Sequence, residues 1–199
     1  MPKTLKLQIS VEEFTQVFKE YSERIVLYLN RFVGREDAED LMQEVFVKAY
    51  NSISSFEGNS KLSTWIYTIA TNAALDRLKS FNYRREKSKL TSLEYVEPLR
   101  VKMLTGNNDD SDIEYALLKT EMNQCIADYI NRLPDNYRAI FLLREYEDRS
   151  IEETAEITSL SVDNVKIRLH RARKKLHQLL LSGCSFYYDE NSKLSCDKK

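Results

Sequence analysis

Glycine and proline are scarce in this sequence, with four glycines and three prolines in 199 residues. That shortage leaves little material for the tight turns of a small β protein, and helix formers throughout argue for an all-α chain. No sustained alternation of apolar and polar residues supports a sheet. The three cysteines are widely spaced and give neither a zinc framework nor a disulfide scaffold. No N-terminal apolar leader and no long apolar run is present, so a soluble, cytoplasmic protein without membrane insertion is expected. Nor is there an excess of one charge: 30 basic residues face 31 acidic ones, and no global basic field announces nucleic acid. Catalytic constellations are missing as well. The sequence has no His and carboxylate paired at a nucleophile, no phosphate-cradling glycine loop and no metal-ligand cluster, so neither an enzyme nor a cofactor is expected.

What the sequence has is segregated charge. Basic residues gather in Arg77 to Lys89 and Lys166 to Lys175, and acidic ones around Asp109 to Glu114. Segregation matters more than the sum, because phosphate contacts depend on the local basic count. The length accommodates two small helical domains, expected at 1–90 and 113–182, with a linker over 91–112 and a polar tail over 183–199. The linker carries Pro98, Gly106 and the run GNNDDSD, and is expected to be either flexible or functional.

Ser10 with Glu13 forms a capping-box pattern that opens the first helix. Phe14, Val17, Phe18, Tyr21, Ile25, Tyr28 and Phe32 then keep one apolar face as far as Gly34. The next helix, Glu36 to Tyr50, places Ala38, Leu41, Met42, Val45, Phe46 and Ala49 on one arc. Glu36, Asp37, Asp40, Gln43 and Glu44 fill the other, a composition that any solvated helix face can have. Beyond the loop Phe56 to Lys61, Ser60 or Ser63 can cap a third helix with an apolar stripe of Leu62, Ile66, Ile69, Ala70 and Ala73. Trp65, Thr68, Asn72 and Lys79 share one flank of that stripe. An indole beside hydroxyl, amide and ammonium groups can stack on an unpaired base and bind its edge, although Trp65 alone also fits a core boundary. The loop, with Phe56, Gly58 and Asn59, can hold a base taken out of a duplex. Arg77, Lys79, Arg84 and Arg85 extend a backbone-binding track from there.

In the second domain, Ala116, Leu117, Met122, Ile126, Tyr129, Ile130 and Leu133 support a helix ending at Pro134, with Cys125 as a small core residue. A helix with Tyr137, Ile140, Phe141 and Leu143 buried follows. Ser150 with Glu153 forms another capping box, opening a short helix that carries Ala155 and Ile157. After the turn Ser159 to Ser161, a long helix runs from Val162 to about Leu181. Short helix, three-residue turn and longer basic helix have the dimensions of a helix-turn-helix. Val162, Val165, Leu169, Ala172, Leu176 and Leu179 form the buried seam, while Asp163, Ile167, His170, Arg171 and Lys174 point outward and Lys166, Arg168, Arg173 and Lys175 flank them. Such a face fits the major groove, where Arg and Lys read guanine and an apolar side chain meets a thymine methyl.

Two stretches, DAEDLMQEVFVKAY and SFEGNSKLSTWIYTIATNAALDRLKS, resemble the promoter-binding domain of the extracytoplasmic-function (ECF) sigma factors of bacterial RNA polymerase. The segment from Leu133 to Leu176 resembles the minus-35-binding domain of the same family. The resemblance implies a sigma factor that binds core polymerase, recognises the minus-35 and minus-10 promoter elements and assists melting. It places the beta-prime clamp against Asp37, Asp40, Gln43 and Glu44, and implies the beta subunit as a further partner. The minus-10 strand is assigned to Phe56, Asn59, Lys61, Trp65, Thr68, Asn72 and Lys79, and the minus-35 bases to Lys166, Ile167, His170, Arg171 and Lys174. Family members often carry Gly-Thr where this chain has Asp163-Asn164, and a small polar residue in place of Ile167, which leaves the promoter sequence open. An anti-sigma partner is common in that family, and no residue here selects one. The competing readings are a stand-alone helix-turn-helix regulator acting without polymerase and a helical adaptor with no DNA role.

His170, His177 and Cys184 recur every seven residues, a helical rise of about 10 Å that one metal ion does not span. The tail SGCSFYYDENSKLSCDKK ends the helix at Gly183 and is expected to be disordered. A redox pair of Cys184 and Cys196, or a metal-responsive tail, is its minor alternative.

Overall fold

A glycine sets the first corner of the molecule. The computed structural model describes residues 11–80, 125–188 and 194–199. Helix α1 (Val11–Val33) runs into Gly34, whose φ of 87° lies where a side chain is strained, and the chain turns there into α2 (Arg35–Ser52). A 3-10 turn (Ile53–Ser55) and a loop lead to α3 (Leu62–Lys79). The three helices pack on one another through the faces that the periodicity marks. Phe14, Phe18, Ile25, Tyr28 and Phe32 of α1 are buried, as are Ala38, Leu41, Met42, Val45 and Ala49 of α2. Edge-on packing of Phe18 on Phe46, with ring centroids 4.8 Å apart, closes the α1–α2 seam.

Helix α3 is buried more widely than one stripe. Ser63, Thr64, Ile66, Tyr67, Ala70, Thr71, Ala73, Ala74 and Leu78 are all inside, because α3 packs on α1 and α2 along one side and on the later helices along another. Its expected serine cap is not used. Lys61 is the N-cap and no side chain bonds there, while Ser63 lies inside the first turn and accepts a bond from Arg149 instead. The Ser10 cap, Arg84, Arg85, the linker and residues Ala116, Leu117 and Met122 lie outside the described residues.

The chain is described again from α4 (125–131), followed by α5 (Asp135–Glu145), α6 (Ile151–Thr158) and α7 (Val162–Gly183). Ser150 caps α6 reciprocally: its Oγ accepts the Glu153 backbone N–H at 3.0 Å, and Glu153 Oε2 accepts the Ser150 N–H at 3.0 Å. Ser159 then turns the chain in the left-handed region at φ 54°, and Ser161 caps α7 by accepting from the Asn164 N–H. Val165, Leu169, Ala172 and Leu176 form the buried seam of α7 against α5 and α6, as expected.

The tail departs from expectation. Instead of disorder, β1 (Cys184–Tyr188) pairs antiparallel with β2 (Leu194–Lys198), with Phe186 opposite Cys196. The strand escapes a period-two reading because Cys184 is buried and the four residues after it are all exposed. No helix among the described residues is long and apolar enough to cross a membrane.

Candidate nucleic-acid interface

The outer face of α7 sets cations around one apolar side chain. With the seam turned inward, Lys166, Ile167, His170, Arg171 and Lys174 are all exposed, and Ile167 retains 48% of its surface. An apolar side chain held in water between cations suits a thymine methyl flanked by phosphates and guanine edges. Arg173 is committed elsewhere, since its guanidinium donates to Glu145 of α5 and braces α7 on its neighbour. Lys166 stands 3.9 Å from Asp163 in the first turn. His170 and His177 are exposed on α7, whereas Cys184 is buried at its end, so the seven-residue repeat gathers no metal site.

On α2 the acidic arc is exposed at Glu36, Asp40, Gln43 and Glu44, and half-buried at Asp37. Arg77 of α3 reaches this arc, donating to Asp37 at 3.4 Å and to Glu44. Arg77 is therefore turned towards α2 rather than along a backbone-binding track. Among the described residues no such cation pairs with Asp40 or Gln43, and both are exposed.

The loop and α3 residues divide into two kinds. Phe56 does not stand out in the loop but is buried under Trp65, centroids 5.4 Å apart, so its ring supports the half-buried indole. Thr68 is half-buried and donates to the Thr64 carbonyl. Asn59, Asn72 and Lys79 are exposed; Asn59 donates to Glu57, and Lys79 pairs with Asp76 at 3.2 Å. Lys61 reaches across to α6, with its ammonium 2.9 Å from Glu153 Oε1. The Glu153 carboxyl is held below the usual carboxylate range, first by the Ser150 backbone N–H and then by Lys61.

Behind these surfaces lies a set of buried polar residues that the sequence pattern does not single out. Glu147, in the connection between α5 and α6, is 6% exposed. Its carboxylate accepts the Tyr67 hydroxyl at 2.6 Å and Arg31 Nη1 at 3.4 Å. Arg149, also buried, lies 4.2 Å over the Tyr67 ring and donates to Ser63 at 3.3 Å. Arg138 donates to Asn131 and Asp135 and stands 5.2 Å from the Phe32 ring. Tyr28 shares a 2.9 Å hydrogen bond with Thr71. Both phenols titrate well above the usual tyrosine range: burial is the main cause in each, and the Glu147 charge adds to it. The only hint in the sequence is the charge-dense run Arg144 to Ser150, interrupted by Tyr146.

Comparison with known proteins identifies the family. Residues 17–85 match the family model for Sigma-70 region 2, and residues 123–176 match that for Sigma-70, region 4. The chain is 32% identical over 171 residues to the ECF RNA polymerase sigma factor SigW of Bacillus subtilis, covering 85% of this chain and 89% of that one. It is 35% identical over 163 residues to the ECF RNA polymerase sigma-E factor of Haemophilus influenzae, covering 82% and 85%. Among solved structures, its fold is similar to the sigma factor RpoE of Bartonella quintana, bound there to the anti-sigma factor NepR. The TM-score is 0.63 at 22% identity, covering 86% of this chain and 98% of that one. CnrH in complex with the cytosolic domain of CnrY gives 0.59 at 21%, covering 87% and 90%. With both sigma regions matched in order and relatives aligned over most of their length, this chain belongs to the ECF family of RNA polymerase sigma factors.

Proposed function

We propose that this sigma factor docks on core RNA polymerase through α2, reads the minus-35 element with α7, and captures minus-10 bases at Trp65 as the duplex opens. The observation that carries this reading is the exposed acidic face at Asp40 and Gln43, set on a different helix from the exposed basic face of α7. A regulator acting alone needs only the second. Asp37 and Glu44 belong to the same docking face, and Arg77 holds their carboxylates in place.

For the minus-10 element, the half-buried indole of Trp65 offers a stacking surface, with Phe56 filling the space beneath it. Asn59, Asn72 and Lys79 supply exposed polar groups around it, and Thr68 lies on the same flank. Lys61 joins them once it leaves Glu153. On α7, Arg171 and Lys174 meet guanine edges or phosphates, His170 and Lys166 flank them, and Ile167 meets an apolar base edge. The complex of the similar sigma factor RpoE with the anti-sigma factor NepR supports regulation by a partner of that kind.

The test is gel filtration of the full chain with bacterial core polymerase, alongside the Asp40→Ala/Glu44→Ala double variant. Co-elution that the double variant loses is expected, with the variant's affinity for minus-35 duplex unchanged. Failure of the unaltered chain to co-elute with active core overturns the reading.

A further inference from the structure

Cys125 and Cys184 are 59 positions apart, yet their sulfurs lie 3.7 Å from each other. Both side chains are buried, at 5% and 2% exposure, and the two are present as thiols. The fold makes this meeting specific. Cys125 opens the described part of α4, and Cys184 is both the C-cap of α7 and the first residue of β1. Gly183, next to Cys184, leaves room for Tyr129, because a Cβ at that position would overlap the Tyr129 hydroxyl. The Arg132 guanidinium in turn lies 4.7 Å over the Tyr129 ring. Cys196 is placed differently: it stands opposite Phe186 on β2, while the residue opposite Cys184 is Lys198.

We propose that Cys125 and Cys184 form a dithiol site that a peroxide oxidises to an intramolecular disulfide, fastening α4 to the end of the DNA-reading helix. One sulfur attacks hydrogen peroxide: the O–O bond breaks, a sulfenic acid forms and one water leaves. The second sulfur attacks that sulfenic sulfur, the S–S bond forms and a second water leaves, so two thiols are oxidised and one peroxide is reduced. A disulfide needs sulfurs at about 2.0 Å, and thiols already in van der Waals contact reach that distance by a small side-chain movement. With the second thiol in contact, the sulfenic acid is resolved before further oxidation. Burial of both sulfurs favours a small oxidant over a bulky disulfide reagent. The crossing closes a long loop of chain, so its main effect falls on the unfolded state.

The experiment uses the full-length protein treated with hydrogen peroxide, alkylated without reduction, digested and analysed by mass spectrometry. A peptide linking Cys125 to Cys184 is expected, present in Cys196→Ser and absent from Cys184→Ser and Cys125→Ser. Thermal melting supplies a second readout: the oxidised protein gains a melting temperature on the order of 10 °C higher, reversed by dithiothreitol. Cys184→Ser shows no such gain, and its reduced form is compared by circular dichroism to establish that it folds. A link from Cys184 to Cys196, a link between chains, or alkylation of both Cys125 and Cys184 after peroxide has fully oxidised a control dithiol peptide each overturns the proposal.

Discussion

Ser150 and Glu153 show how much one pair of side chains decides. Each satisfies the other's backbone N–H at the start of α6, and Glu153 also carries the bridge to Lys61. Ser150→Ala removes one acceptor from a helix of eight residues, so unfolding free energy falls by about 1 kcal/mol, measured by urea denaturation of the full chain. Glu153→Gln keeps the cap acceptor and removes the charge, and its effect depends on pH. The folded carboxyl is the stronger acid, so its contribution is complete above the ordinary glutamate value of about 4.3. It disappears as pH falls through the lower folded value. The stability gap between the unaltered chain and Glu153→Gln is therefore present near neutral pH and closes in acid. A gap that widens on acidification would contradict this assignment.

Among elements, α7 has an exposed face that carries cations and α2 one that carries carboxylates, and both faces follow from helical periodicity. Lys174→Ala tests the first. If Lys174 contacts a phosphate, affinity for the minus-35 duplex falls and the slope of log K against log salt shrinks by about 0.9, read from binding titrations at several salt concentrations. Periodicity made these two helices legible because each buries a single arc. It was less informative for α3, where one helix meets neighbours on two sides and Thr64 and Thr71, both polar, lie 1% exposed. The position of Phe56 under Trp65 depends on how the loop folds back, which spacing does not encode. The hairpin is invisible for a related reason: β1 buries only its first residue, so its strand character comes from pairing with β2 rather than from an alternating face. Buried charges are the least legible of all. Glu147 and Tyr67 are 80 positions apart, and Arg149 and Ser63 are 86 apart, so only the tertiary fold explains why those charges are inside.

At the scale of the whole molecule, those same charges hold α3 against the α5–α6 connection. Elements whose names set them about 25 base pairs apart are separated by roughly 85 Å of B-form DNA at 3.4 Å per pair. In the described state Lys61 and Glu153 touch, so on the proposed function the two DNA-reading regions must part before both elements are engaged. Glu147 is the central contact resisting that parting, because one carboxylate accepts from Tyr67 of α3 and Arg31 of α1 while Arg24 stands 4.0 Å away. Glu147→Ala leaves the Tyr67 hydroxyl and the Arg31 guanidinium without that acceptor in a buried setting, a loss of about 3 kcal/mol. Glu147→Gln retains an acceptor for Tyr67 and loses less. Hydrogen exchange monitored by mass spectrometry separates the effect on packing from general unfolding. In Glu147→Ala, amides of α3 and α6 exchange faster, while those of the α1–α2 seam keep their protection because Phe14, Phe18 and Phe46 do not depend on Glu147. Unchanged protection of α3 and α6 would show that apolar packing alone holds the two regions together.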